Sequence, residues 1–513
     1  MEKYVGLEFL KLNKFQRFLY KFTHFFLGIP NWFKNLGLAI WHLIKKIGLA
    51  IKNEVLDLID TFRKGDWKTR VSYVVMGFGN LFRGQIGRGI LFLAFEALFL
   101  FYMIFWGGSW IGQMSTLGTQ GPEEVYDTVY DTYTTIYHDN SFKILLYSVL
   151  SLFFIIAFIY TWRLNIKQAK IAQQLALEGK HLRTSKEDIR SFADDQFHKT
   201  MLALPTIGIL VFTVLPIIFM ILVSFTNYSG ANNNGYSNRL FTWVGWTNFQ
   251  EILTWQVGGT AYSAAFGEIL GWTLMWAFLA TFSNYFLGML VAIMINKKGI
   301  KLKKVWRTIL VLTIAIPQFI SLLYVSRMFA DNGIILTWLR QLGLASGSFS
   351  FIGTNANPWV ARFTVVVINI WIGIPYLMLI ATGILMNIPV DLYESAKIDG
   401  ANSWQQYTKI TLPYMLFITG PYLLTSFIGN MNNFNVIFLL TGGRPDNPAA
   451  SGASGTVGYT DLLITWLYKI TMGANSEYYM ASVIGVLVFV VVAVISLVVY
   501  NLMPSNKNEE DFQ

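Results

Sequence analysis

Eight times along its length the sequence runs for about twenty residues with little or no charge, at about 89–107, 144–162, 202–226, 272–296, 306–329, 362–388, 413–440 and 478–502. At a rise of about 1.5 Å per residue, such a run as a helix matches a hydrocarbon layer about 30 Å thick. Inside that layer backbone amides find partners only within a helix or a closed barrel, and the alternating pattern of barrel strands is absent. A chain of 513 residues that is 54% hydrophobic and 13% charged also has too little polar surface for soluble domains of that total length. An all-α polytopic membrane protein with about eight transmembrane helices is therefore expected, with the lipid bilayer as its solvent.

The formal charge of +10 sits on residues that flank the apolar runs. That is the positive-inside pattern, and with no basic soluble domain a nucleic-acid partner is excluded. Lys297, Lys298, Lys301, Lys303, Lys304 and Arg307 crowd one turn, and Arg163, Lys167, Lys170, Lys180, Arg183, Lys186, Arg190 and Lys199 fill another, so both are expected to face the cytoplasm. The loop 108–142 carries Glu123, Glu124, Asp127, Asp131 and Asp139 without Lys or Arg and faces outward. Alternation then puts both termini in the cytoplasm of a multi-pass protein of the bacterial plasma membrane. Residues 1–60 lack the compact apolar core and small-residue cleavage site of a signal peptide.

Four regions follow. Residues 1–75 mix aromatic and aliphatic residues with Lys at helical spacing, and read as cytoplasmic amphipathic helices on an anionic membrane surface; docking of a regulator is the alternative. Residues 76–199 hold two accessory spans and a charged linker. Residues 200–505 hold six spans, and 506–513 form a cytoplasmic tail. The outward segments 227–270, 330–361 and 441–477 are rich in Gly, Asn, Ser and Trp and are expected to form caps and short interfacial helices.

Between the sixth and seventh spans, residues 391–413 read DLYESAKIDGANSWQQYTKITLP. Pro389 interrupts the preceding span, Asp391 is placed to cap a new helix, Gly400 breaks it after about two turns, and Pro413 is expected to open the next span. Glu394 lies near the helix N-terminus, in line with its dipole. The spacing of Glu394, Ala396, Gly400, Ile410, Leu412 and Pro413 resembles the EAA loop of ABC importer permeases, with Ser395 where the family has Ala. The resemblance implies that this hairpin couples the membrane helices to a cytoplasmic ATPase.

The seventh span reads Ser426-Phe-Ile-Gly429-Asn430-Met-Asn432-Asn433-Phe-Asn435. An amide facing lipid would cost kilocalories, and in one helix Ser426, Asn430 and Asn433 would share a face. They either border a wet path, where amides suit sugar hydroxyls, or bond between helices. The sixth span supplies Asn369, Trp371, Gly373, Pro375 and Tyr376, in which Gly and Pro loosen the helix and aromatic faces offer platforms for sugar rings. Trp371 alone is as well explained by packing.

These segments, with Leu439–Pro445 and Gly458–Leu463, resemble the larger permease subunit of maltose/maltodextrin importers over about 200–505. The resemblance implies a type I ABC importer core, with substrate-binding positions at Asn369, Gly373, Tyr376, Ser426, Asn430 and Asn433. Gly429, Ile314 and Gln318 depart from the aromatic, Tyr and Ser of the well-known maltose permease. The segment 227–270 is too short for the large external domain of that relative. Implied partners are a second homologous permease, two copies of a cytoplasmic ATPase, an extracytoplasmic sugar-binding protein and an oligosaccharide; galacto-oligosaccharides are the alternative to maltodextrins.

No cofactor is expected on this chain. Gly179-Lys180-His181 lacks the rest of a phosphate-binding loop, so ATP and Mg belong to the partner ATPase, and the five His show no paired metal spacing. A secondary transporter would show paired membrane carboxylates or an inverted repeat, and a membrane glycosyltransferase would show acidic catalytic residues at an interface; neither pattern is visible. Glu96, alone in the first span, is assigned no role.

Overall fold

The structure is a computed structural model that describes residues 14–230, 240–254, 261–297, 299–448, 456–473 and 475–502. Residues 1–13 of the amphipathic region, Lys298, the tail 506–513, and 231–239, 255–260, 449–455 and 474 of the segments expected to face outward lie outside them. Among the described residues, 8 helical segments are long and apolar enough to cross a membrane: Ile86–Gln113, Ser141–Leu177, Phe197–Val223, Tyr262–Asn296, Gln318–Gln341, Pro358–Leu385, Ser403–Met431 and Tyr478–Tyr500. The chain forms two compact units, one of residues 1–109 and 150–208, the other of 110–149 and 209–513.

In the first unit, α1 (Lys14–Lys64) is one helix of 51 residues, where separate amphipathic helices were expected. It ends at Gly65, whose missing Cβ would sit 2.6 Å from the Thr61 carbonyl oxygen. Asp66 then accepts from the Thr69 N–H at 2.9 Å and caps α2 (Trp67–Val71). A short α3 (Phe78–Leu81) leads to α4 (Ile86–Gln113). Acidic residues of α1 meet basic residues of α5 (Ser141–Leu177): Arg163 donates to Glu54 at 2.9 Å and Lys170 to Asp57 at 2.5 Å. Fully buried Asn165 of α5 donates to the Ser72 carbonyl at 2.8 Å and accepts from the Gly77 N–H at 2.7 Å. Glu96 accepts from the Met76 N–H at 2.8 Å, a structural bond. The linker forms α6 (Ser185–Ala193), closed by a capping box from Thr184 and Glu187.

In the second unit, the acidic loop carries a hairpin, β1 (Glu123–Asp127) antiparallel to β2 (Thr132–Ile136), with Glu123 opposite Ile136. Its spans are α7 (Phe197–Val223) from residue 209 onward, α9 (Ala261–Asn296), the pair α10 (Lys303–Ala315) and α11 (Gln318–Phe329), α13 (Pro358–Leu385), α15 (Ser403–Met431) and α18 (Tyr478–Leu502). Short helices α8 (Thr247–Leu253), α12 (Ile334–Gln341), α14 (Val390–Ile398), α16 (Phe434–Leu440) and α17 (Leu463–Met472) fill the connections.

Helix α9 is the central strut. Its Asn284, Gly288 and Ala292, spaced one per turn, face Gly373, Leu377 and Ala381 of α13 across a crossing that small residues keep tight. Tyr285, Met289, Met378, Met415 and Leu423 fill the layer between α9, α13 and α15. Polar bonds pin it further: the Tyr285 hydroxyl meets Thr419 Oγ1 at 2.8 Å, and Asn296 donates to Thr382 Oγ1 at 3.2 Å.

Candidate functional site

Two expected continuous spans are broken. The fifth, expected as 306–329, stops at Ala315 and restarts at Gln318. Pro317 has no N–H to give the ladder and drives Ile316 into extended backbone, with φ −83° and ψ 126°. The seventh, expected as 413–440, starts at Ser403, ends at Met431 and resumes as α16 at Phe434. Ser426, Asn430 and Asn433 therefore do not form one face of one helix.

The break in the fifth span opens a cavity of about 330 Å³. One wall is Thr313, Ile314, Ile316, Pro317, Gln318 and Ser321; the other is Trp371, Ile372, Gly373 and Tyr376 of α13. Trp371 and Tyr376 are 56% and 53% exposed, so both rings have a free face. Among the described residues, none that lines it is Asp, Glu, Lys, Arg or His. Irregular backbone at membrane depth is tolerated where it borders such a cavity. Chemically, uncharged donors and acceptors beside aromatic planes bind a neutral polyhydroxylated solute and give an ion no counter-charge.

Gly373 and Tyr376 thus meet in this cavity, together with Gln318 and Ile314, two of the three positions that depart from the well-known maltose permease. Asn369 lies one turn from Gly373, 5% exposed, and its Nδ2 has no hydrogen-bond partner among the described residues. Ser426, Asn430 and Asn433 are not among the lining residues. Half-buried Ser426 shares a hydrogen bond with Tyr422. Asn430 donates to Thr281 Oγ1 of α9 at 3.0 Å, while its carbonyl accepts from Trp276 Nε1 at 3.1 Å. Asn433 donates to Asn430 Oδ1 at 3.4 Å and its Oδ1 caps α16 by accepting from the Val436 N–H at 3.3 Å. Both Asn430 and Asn433 keep partial exposure. Ser321 and Thr313 went unnoticed in the sequence; their position around Pro317 was the available signal.

The hairpin 391–413 forms α14 and the start of α15. Asp391 does not cap α14: the cap position is Pro389, without a side-chain bond, and Asp391 sits in the first turn, where its charge faces the helix N-terminus. Gly400 takes φ +77°, which only glycine adopts at little cost, and lets Ala401 N–H donate to the Ala396 carbonyl at 2.8 Å. Asn402 and Gln405 then close a capping box. Pro413 does not open a new span, because the helix runs on from Ser403 through a π turn at Tyr407–Thr411 that takes up the register lost at the proline. Glu394 and Ser395 are exposed beside Ile398, which is 87% exposed, and Trp404, which is 70% exposed. Ala396 and Ile410 are half-buried, and Leu412 packs on the layer between α9, α13 and α15. The Tyr393 hydroxyl meets Thr411 Oγ1 at 2.9 Å and fastens the hairpin to α15.

Fold and cavity together define a polytopic permease for an uncharged polar solute. The profile of the family described as binding-protein-dependent transport system inner membrane component matches residues 284–507. The chain is 31% identical over 456 residues to the maltodextrin transport system permease protein MdxF of Bacillus subtilis, spanning 88% of this chain and 98% of that protein. It is 30% identical to the maltodextrin permease MalC of Streptococcus pneumoniae, over 84% of this chain and 95% of that one. It is also 31% identical to the galactooligosaccharides permease GanP of Bacillus subtilis, over 85% of this chain and 97% of that one. The chain belongs to the carbohydrate ABC importer permeases of the maltose type, within that inner membrane component family.

Proposed function

We propose that this permease imports maltodextrin-type oligosaccharides by alternating access, with Gly373 and Tyr376 at the centre of the sugar path and Asn369, Ser426, Asn430 and Asn433 along it. The single observation that carries this is the uncharged cavity of about 330 Å³ at the broken fifth span, faced by Trp371 and Tyr376. On this reading residues 200–505 are the permease domain, and both termini and the hairpin are cytoplasmic. A homologous permease completes the path, and an extracytoplasmic binding protein delivers sugar. Two ATPase subunits carry the nucleotide. One docks on Glu394, Ser395 and the exposed apolar residues Ile398 and Trp404, a charged and apolar surface suited to a partner groove.

A galacto-oligosaccharide substrate is the second reading, favoured by GanP being as similar as MdxF, at 31% identity each. The test is ATP-dependent uptake of labelled maltodextrins and galacto-oligosaccharides by vesicles holding the complex purified with this chain. Faster maltodextrin flux, lost in Gly400→Asp without loss of membrane insertion, is expected. Uptake unchanged in Gly400→Asp refutes the coupling role, and transport of neither sugar refutes the substrate class.

A further inference from the structure

Asn284 belongs to α9, a span outside the expected sugar path. It is 8% exposed, and its amide fills the space that a side chain at Gly373 would need: a Cβ there would lie 2.6 Å from Asn284 Cγ and 2.7 Å from Oδ1. The Oδ1 atom is buried with no hydrogen-bond partner among the described residues. One turn away on α13, the buried Nδ2 of Asn369 is also without one. A membrane span holding one unused acceptor and one unused donor around the same glycine is unfavourable unless something answers both. A hydroxyl does so, since it donates to one oxygen while accepting from one N–H. Gly373 also lines the cavity, so the Asn284 amide packs against a residue of the cavity wall that has no side chain.

We propose that Asn284 is a sugar-recognition residue: with Asn369 it binds one hydroxyl of the oligosaccharide, reached through the gap that Gly373 leaves in α13. In the conformation seen here the gap is shut, and the amide turns into the cavity when α9 and α13 shift during the transport cycle. Gly373 is then required for what it lacks, and Asn284 decides whether a solute with a hydroxyl at this depth is held.

This rests on the cavity being the sugar site, and the experiment separates the two ideas. Asn284→Leu keeps the shape and removes the unpartnered amide. In the assembled complex, equilibrium binding of labelled maltotriose is expected to weaken about tenfold, the worth of one hydrogen bond. The thermal midpoint should not fall, because an apolar isostere of an orphaned polar group costs nothing in the core. Asn284→Ser, which puts a hydroxyl donor and acceptor in place of the amide, should recover part of the affinity, and Tyr376→Ala should weaken binding by at least as much. Affinity within twofold of wild type in Asn284→Leu, with Tyr376→Ala impaired, overturns the role of Asn284 and leaves the site. A lower midpoint with unchanged affinity marks Asn284 as a packing residue and also overturns it. If both variants bind normally, the site itself is elsewhere.

Discussion

Gly288→Ala should loosen the crossing of α9 and α13, the helix whose Gly373 and Tyr376 line the cavity. Its new Cβ would lie 2.6 Å from Leu377 Cβ and 3.2 Å from both Leu377 C and Met378 N. Carbon atoms rest at about 3.5–4.0 Å, so α9 and α13 must part by about 1 Å. Two of the three contacts are backbone, so no rotamer change relieves them, and Leu377→Ala as a second substitution would not help because the Cβ remains. Overpacking of this kind costs about 1–3 kcal/mol. Gly271→Ala is the control: it lies on the same helix, and its Cβ would meet nothing within 4 Å. In an interior helix position that change gains up to about 1 kcal/mol from propensity. The assay is the thermal midpoint of the detergent-solubilised complex, followed by aggregation and by retained transport after heating. Gly288→Ala is expected to fall several degrees and Gly271→Ala to hold or rise. Equal midpoints for the two would refute the close crossing of α9 and α13.

Three further outcomes are expected. Arg362 donates to the Tyr459 carbonyl at 2.8 Å, sits 3.6 Å from Glu268, and lies over the ring of Trp272 at 4.7 Å, so Arg362→Met should destabilise by about 2–3 kcal/mol. Glu268 is 37% exposed, which holds the cost below that of a sealed ion pair, and adding Glu268→Gln should recover part of the lost midpoint. The Asp139 carboxyl is held below its usual range by the Gln120 and Thr119 N–H groups, at 2.9 and 2.8 Å. A depressed value stabilises the loop above the unfolded pKa of about 3.9 and loses that contribution as pH falls through the folded value, so amide protection over 119–139, taken relative to the intrinsic exchange rate at each pH, should fall below about pH 4, and Asp139→Asn should remove that pH dependence. Gly400→Ala should be milder than Gly400→Val, since φ +77° disfavours a β-branched residue most, read as ATP-driven uptake at equal expression.

The spans were legible because an apolar run of bilayer length leaves the backbone one economical solution, and the hairpin because Gly400 and its flanks carry local capping chemistry. What escaped were the interruptions. Pro317 was visible, yet a proline in an apolar run can bend a helix or end it, and only the packing of α10 and α11 decides. The Asn-rich run looked like a continuous polar face, but Asn433 spends its Oδ1 on capping α16, a competition between side chain and backbone that periodicity does not register. Asn284 was invisible for another reason: one amide in a long span carries no pattern, and its meaning comes from Gly373, 89 positions further along the chain, which only the fold brings next to it.

These contacts also give the hairpin a physical route to the cavity. Tyr393 holds Thr411 at 2.9 Å; eight residues along the same helix, Thr419 holds Tyr285 at 2.8 Å; and Asn284, the neighbour of Tyr285, rests on Gly373 at the cavity wall. Spatial continuity alone does not establish coupling, which needs an energetic test. Tyr285→Phe is well suited because Thr419 keeps its bond to the Met415 carbonyl at 2.6 Å, so no hydroxyl is stranded. Each hydroxyl removed forfeits about 0.5–1.5 kcal/mol, which as a bias between transport states would raise ATP consumed per sugar about two- to tenfold. If the two bonds act in one relay, Tyr393→Phe with Tyr285→Phe will be no worse than the stronger single variant, because a relay cut once is cut. Multiplicative losses would mean that the hairpin and the cavity answer to separate contacts, and the relay would be wrong.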